Sequence, residues 1–230
     1  MKKQDKMDKT IVVPGDLLSD EVSRAADGTY VQNERVYSLV YGLLDDKDKI
    51  RVIPLSGKYL PTEGDTVIGM VSDISFSNWK IDICSPYEAL MHISEYPHRI
   101  DSSEMGRIMR VGDLAIFKVV DVDPSMKVEL APKEGQLRVL RSGRIVEISY
   151  TKVPRVIGRA GSMISLLKSK LDVSILVGKN GRIWINGKAE DEDLAIKVIK
   201  RIEREAHTSG LTDRITKFLE EEEHGIYEKR

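Results

Sequence analysis

The hydrophobic pattern divides the chain into two β-rich segments and a third segment of mixed period. The first segment runs to about residue 61, and turn signals such as Asp27-Gly28 and the acidic run 45–48 separate its short apolar runs. Those runs predict strands at 11–13, 29–32, 36–42 and 49–54. The second segment predicts five strands, at 66–74, 79–83, 88–93, 114–121 and 127–131. Five short strands with one long connection, 94–111, are typical of an OB-type barrel.

The third segment begins with alternation at 143–150 and then changes to a helical period. A short helix with Pro154 at its first position is predicted, followed by two glycines and a second helix. Two strands joined by a hairpin at 178–181 come next, because Asn-Gly is a strong turn signal. An apolar stripe from Leu194 to Ile202 predicts a third helix, which gives the order βααββα, and a last helix is predicted at 212–223.

These patterns predict an α+β multidomain protein. The predicted boundaries are an N-terminal β domain at 1–62, a barrel at 63–135, a mixed domain at 136–206 and a helical tail at 207–230. Hydrophobic residues make up 41% and charged residues 32% of the 230, as in globular proteins.

The charge distribution is uneven although the formal net charge is only −1. Between Arg141 and Lys170 the sequence contains seven basic residues and a single acid, Glu147, which makes this stretch a local attractor of phosphate. The acidic runs 190–193 and 220–223 are interpreted as solvated helix faces. A single cysteine excludes an internal disulfide, and the polar N-terminus is unlike a signal peptide, so we expect a cytoplasmic protein with no membrane span.

The basic stretch contains the sequence PRVIGRAGSMISLLKSK, with its glycines at 158 and 161. A GxxG loop between two helices in a βααββα order resembles a KH domain, over about 144–206. The resemblance implies that the loop grips the backbone of single-stranded RNA. Glycine permits close approach, and the N-terminus of the following helix attracts phosphate. The candidate contacts are Arg155, Gly158, Arg159 and Gly161.

Two alternatives remain for this KH-like segment. Its loop is either an RNA contact or a scaffold, and its apolar groove either stays open or packs against the barrel. In both cases we expect Val156, Ile157 and Ile164 to be core residues.

The barrel segment resembles an S1 RNA-binding domain over about 63–132, through Gly69-Met70-Val71, the strand 79–83 and Ala89-Leu90-Met91-His92-Ile93-Ser94. The two aromatic positions of the S1 binding face fall on Ser77 and Lys80, whereas Phe76 and Trp79 are each one residue away. Because neighbouring strand residues face opposite sides, Trp79 is predicted to point into the core with Ile81 and Ile83. We therefore expect a charge-dominated RNA surface. Its candidates are Lys80, His92, Arg99, Arg107, Arg110, Lys118 and Lys127.

The order of the domains, a small β unit followed by S1 and KH, resembles the S1-plus-KH cap subunits of the archaeal RNA exosome. The resemblance implies three copies, alone or mixed with another S1-containing subunit, on a hexameric ring of RNase PH-like subunits. The N-terminal domain would dock on the ring. The cap would capture single-stranded RNA, with a preference for adenine-rich sequences, and guide it into the pore for phosphorolytic degradation from the 3′ end.

The sequence contains no motif that indicates an enzyme. The four histidines lack zinc-site spacing, no phosphate-binding GxxxxGK[ST] loop occurs, and Cys84 has no activating histidine implied. We therefore expect no catalytic residues, metal or cofactor. The competing interpretations are a stand-alone S1/KH RNA-binding protein of ribosome assembly or translation and, as a third, a phosphorolytic nuclease.

Overall fold

The computed structural model describes residues 10–227 of the chain. The chain divides into two compact units, residues 1–57 and 58–230. No helix among the described residues is long and apolar enough to cross a membrane.

The first unit consists of two three-stranded antiparallel sheets. Its strands are β1 (Ile11–Val12), β2 (Leu17–Ser19), β3 (Thr29–Gln32), β4 (Arg35–Ser38), β5 (Gly42–Asp46) and β6 (Ile50–Pro54). The sheets have the orders β1-β5-β6 and β2-β4-β3. The predicted single strand 36–42 was wrong, since β4 ends at Ser38 and β5 begins at Gly42. The predicted turn at 45–48 begins later, after Asp46: Asp45 lies in β5, where it pairs with Arg51 of β6 at 2.6 Å.

The second unit begins with the predicted OB-type barrel. Its strands are β7 (Thr66–Ile74), β8 (Asn78–Asp82), β9 (Ala89–His92), β10 (Leu114–Val122) and β11 (Val128–Pro132), and β12 (Arg138–Val139) adds to β10. The strands follow the order β11-β9-β8-β7-β10, and pairing of β10 with β11 closes the barrel. The helix α1 (Met105–Ile108) lies in the long connection, and Met105 and Met109 pack into the barrel core. Trp79 and Ile81 are buried in the same core, as predicted.

The predicted βααββα order follows the barrel. Its elements are β13 (Arg144–Glu147), α2 (Val153–Ile157), α3 (Ser162–Lys170), β14 (Val173–Val177), β15 (Arg182–Gly187) and α4 (Ala189–Glu205), followed by α5 (Leu211–Tyr227). The sheet order is β13-β15-β14. Its core lies between one sheet face and the helices, and α5 adds Leu211, Ile215 and Leu219 to it.

Three local predictions in this domain needed correction. Pro154 is the second residue of α2 rather than the first, because the helix begins at Val153. Val156 is buried as predicted, but Ile157 is exposed and Ile164 is only half-buried. Ile157 is exposed because it is the last residue of α2, directly before the glycine loop, where the chain turns away from the core.

Candidate nucleic-acid interface

The barrel and the mixed domain are joined through the sheet face opposite the helices. Along β15, Ile183 and Ile185 face the helices, whereas Trp184 faces the barrel. Trp184 packs there with Ile68 of β7 and Ile116 of β10. This alternation is the ordinary consequence of the pleat, and it gives the strand two apolar faces with different partners.

The hairpin at 178–181 completes the edge of β7. Strand β8 pairs with β7 only from Met70 onward, which leaves the backbone of Thr66 and Ile68 without a strand partner on that side. The Lys179 N–H donates to the Thr66 carbonyl at 2.9 Å. The Asn180 amide nitrogen donates to the Ile68 carbonyl at 2.9 Å, and the Asn180 side-chain oxygen accepts from the Ile68 N–H at 3.3 Å. The hairpin therefore satisfies backbone groups that a barrel edge would otherwise expose.

Two ion-pair clusters flank this hairpin. Arg182 is only 5% exposed, and its guanidinium donates to the Asp82 carboxylate at 2.5 Å and to Glu147 at 2.9 Å. Burial alone would raise the pKa of Asp82, but the hydrogen bonds from Arg182 and from the Cys84 N–H, together with the positive charge of Arg182, hold that pKa below its usual value. On the other side, Asp65 is buried between Lys179, at 2.5 Å, and the Tyr59 hydroxyl, at 2.7 Å. The charged and polar side chains of the junction are therefore paired with one another, in addition to the apolar packing around Trp184.

The glycine loop lies on the helical side of its domain. Gly158 has φ 76° and ψ 174°, and a Cβ there would lie 2.7 Å from the backbone nitrogen of Met163. Gly161 has φ 80° with open space around it. Arg155 and Arg159 are both exposed on either side of Gly158. Since the barrel occupies the opposite sheet face, the alternative in which the KH-like groove packs against the barrel does not occur.

The remaining predicted contacts are spread over the barrel. Lys80 projects outward from β8, where its ammonium pairs with Glu88 at 3.1 Å. His92 ends the neighbouring strand β9 and is exposed. Lys118 also projects outward, but it lies on β10 two residues from Ile116 and hence beside the junction. Lys127 lies in the β10–β11 turn, so these four residues occupy three separate places on the barrel.

The three predicted arginine contacts, Arg99, Arg107 and Arg110, are all exposed in the long connection. Arg107 lies on α1, whose Met105 packs into the barrel core, and the Arg107 side chain itself is exposed. Among the described residues no group of three histidine, cysteine or carboxylate side chains is placed to hold a metal. Burial raises the pKa of Cys84 to about 11 against the opposite effect of the Arg182 charge, so its thiol stays protonated at neutral pH.

One exposed aromatic residue was missed as a site candidate. Phe76 lies in the turn between β7 and β8 and is 86% exposed. The argument from strand alternation holds for Trp79, which is in β8, but it does not apply to a residue outside the strands. The signal in the sequence was the adjacent Ser75 and Ser77, which favour a turn at this position.

A closed S1-type barrel joined to a KH-type βααββα domain defines the class of S1-plus-KH RNA-binding proteins. Comparison with family models agrees with this assignment. Residues 9–56 match the N-terminal domain of the exosome RNA-binding protein RRP4, residues 58–121 match the RRP4 S1 domain, and residues 143–191 match the KH domain.

Proteins named exosome complex component Rrp4 are similar to this chain over most of its length. The one from Methanosarcina mazei is 55% identical over 94% of this chain and 84% of its own length. The one from Methanothermus fervidus is 43% identical over 92% of this chain and 96% of its own length. A solved structure described as an exosome complex RNA-binding protein is 40% identical, covers 73% of this chain and 98% of its own, and superposes with a TM-score of 0.68. The chain belongs to the Rrp4 family of exosome components.

Proposed function

We propose that this protein is a non-catalytic, cytoplasmic cap subunit of an archaeal exosome. It captures single-stranded RNA and guides it into the central pore of a hexameric RNase PH-like ring, which degrades the RNA from its 3′ end. The observation that carries this proposal is the junction itself. It fixes the S1 and KH domains to each other. The KH domain leaves the outward face of β8 and β9 uncovered, and the barrel leaves the glycine loop uncovered.

Docking on the ring is assigned to the N-terminal unit, because several large apolar side chains are exposed among its described residues. In the register of β1, β5 and β6, Ile11 lies opposite Leu43, and Leu43 lies opposite Ile53. Ile11 is 57% exposed and Ile53 is 49% exposed, with Leu43 half-buried between them. An exposed cross-strand row of this kind supports a protein–protein contact.

RNA capture is assigned to two weak contacts. The glycine loop offers backbone N–H groups and the guanidinium groups of Arg155 and Arg159 to phosphates. The barrel offers the imidazole of His92 and the ammonium of Lys80, which must exchange Glu88 for a phosphate. Because both contacts are ionic, the affinity for RNA should fall linearly with the logarithm of the salt concentration.

The test mixes the full chain with a ring of RNase PH-like subunits. We expect co-elution on size exclusion and faster decay of a single-stranded RNA. The variant I11D/I53D should lose co-elution but keep RNA affinity, whereas V111N, which makes an exposed residue of the barrel polar without adding a charge, should keep both. Absence of a complex between the wild-type chain and the ring, with unchanged RNA decay, would overturn the proposal.

A second candidate is a stand-alone RNA-binding protein of ribosome assembly or translation. It is favoured by the same uncovered loop and barrel face, which need no ring for access. It predicts that RNA affinity is the same with and without the ring and that I11D/I53D has no effect on RNA decay. Phosphate-dependent release of nucleoside diphosphates by the isolated chain would instead establish an enzyme, and we expect none.

A further inference from the structure

One edge of the junction between the barrel and the KH domain is lined by cations. Lys118 of β10 lies directly opposite Thr66 of β7, so both side chains project from the same outward face of the barrel. Arg138 of β12 lies opposite Ile116, two residues before Lys118, and shares that face. Diagonal neighbours of this kind lie about 7–8 Å apart, so Lys118 and Arg138 form one group of positive charge.

The KH hairpin at 178–181 adds a third cation to this group. The Lys179 N–H donates to the Thr66 carbonyl at 2.9 Å, which places Lys179 on the other side of Thr66 from Lys118. Its ammonium pairs with Asp65 at 2.5 Å, yet 65% of the Lys179 side chain is exposed, whereas only 6% of the Asp65 side chain is. Because an ammonium has three donors and Asp65 is buried, the outer side of this ammonium can bind a second anion.

Lys118 and Arg138 have no acidic partner. Both are exposed, and within residues 10–227 neither forms a salt bridge, although Glu129 of β11 projects from the same barrel face. The Arg138 guanidinium lies over the Trp184 ring, 5.8 Å from its centroid. A guanidinium stacked on an aromatic face keeps its in-plane N–H groups for hydrogen bonds. An anion placed between these two cations would relieve their mutual repulsion.

We propose that Lys118, Arg138 and Lys179 form a phosphate-binding site for the backbone of single-stranded RNA at the edge of the junction. Their charged groups donate to neighbouring phosphates, and the Thr66 hydroxyl, between the two lysines, is a further donor. The site rests on the proposed function. It adds a contact at the boundary of the two domains, separate from the glycine loop and from the outward face of β8 and β9.

The composition of the site favours an RNA backbone over a protein partner. Ile68 and Ile116, which share this barrel face, are already buried in the junction, so the site offers charge and hydrogen bonds rather than apolar area. A protein interface is expected to have an apolar centre. Contacts to nucleic-acid phosphates come instead from lysine, arginine and hydroxyl side chains, and they do not depend on the base sequence.

The salt dependence of RNA binding gives the direct test. K118Q/R138Q removes two charges and keeps Lys179, which pairs with the buried Asp65. Fluorescence anisotropy of a labelled single-stranded RNA measures the affinity of the full chain over a range of salt concentrations. The slope of log affinity against log salt should become shallower by about 1.4, which is about 0.7 for each lost phosphate contact. By the same relation, the affinity at 0.1 M salt should fall about 25-fold. The loss should be equal for oligoadenylate and oligouridylate.

Two further variants make the result specific to this place. The matched control K197Q/K217Q also removes two positive charges, from exposed lysines of α4 and α5 that form no salt bridge among the described residues. It should keep the wild-type slope. Because R138Q removes a group that lies over Trp184, the single variant K118Q is measured as well, and its slope should be shallower by about 0.7.

The outcomes separate this site from the proposed function. A wild-type slope and affinity for K118Q and K118Q/R138Q would overturn the site and leave the cap function standing. An equal loss in K197Q/K217Q would show that only the total charge matters and would also overturn it. Loss of co-elution with the ring at unchanged RNA affinity would make the group a protein contact and overturn the site. If the wild-type chain binds no RNA, both proposals fail.

Discussion

Replacing Asn180 should loosen the contact between the KH domain and the barrel. The side chain is 4% exposed and makes three hydrogen bonds across the junction. Its amide nitrogen donates to the carbonyls of Ile68 and Ile83, at 2.9 and 3.0 Å, and its oxygen accepts from the Ile68 N–H. The change N180A leaves these three backbone groups without partners in a buried place.

The expected cost follows from those three groups. A buried polar group that loses its partner costs about 1–3 kcal/mol, but the bond to the Ile68 N–H is long, at 3.3 Å, and contributes least. Water entering the space left by the amide would recover part of the loss. We therefore expect N180A to lower the free energy of unfolding by about 2–4 kcal/mol. N180D should cost more at neutral pH, because a carboxylate would face two carbonyl oxygens.

Urea unfolding followed by tryptophan fluorescence measures this cost. Trp184 reports on the junction and Trp79 on the barrel core, so loosening of the junction alone would appear as a separate first step in the unfolding curve. Asn186, half-buried on β15 and with no side-chain hydrogen bond among the described residues, provides the control N186D. A wild-type unfolding curve for N180A would show that the hairpin does not hold the junction.

Two further predictions concern the glycine loop and the ion pair. G158D should destabilise the KH domain, because the new Cβ would meet the Met163 backbone and the residue would have to keep a φ of 76°. G161D should fold, with a penalty of about 1 kcal/mol for its left-handed backbone. Thermal unfolding checks both variants, and an RNA affinity of G161D equal to that of the wild type would make the loop a scaffold. The lowered pKa of Asp82 means that its pairing with Arg182 stabilises the fold above the unfolded pKa of about 4 and that this stability is lost as the pH falls through the lower folded value. The stability difference between the wild type and R182M should therefore shrink in acid, and a pH-independent difference in urea titrations would contradict this account.

The fixed junction has a consequence for RNA capture. Two weak contacts on one rigid unit act at a high effective concentration for one RNA strand, so their combined affinity exceeds either one alone. Loosening the junction with N180A should therefore weaken RNA binding even though Asn180 is not itself a proposed contact.

The predictable parts of the fold were those set by local periodicity. The alternation around Trp79 and Ile81 fixed which side of β8 is core, and the Asn-Gly pair fixed the hairpin between β14 and β15. Prediction failed at Asp45, where a run of acids looked like a turn. A cross-strand partner, Arg51, stabilises Asp45 in a strand, and the pattern of residues around Asp45 does not reveal such a partner.

The sequence by itself determined the modules, since composition, period and the GxxG spacing are local properties of the chain. Only the tertiary structure decided how those modules are used. It placed Trp184 and Asn180 against the barrel, turned the glycine loop away from it, and left Phe76 exposed in the turn between β7 and β8. The physical reason is that burial and hydrogen-bond satisfaction depend on partners more than one hundred residues distant, such as Ile68 for Asn180 at a separation of 112.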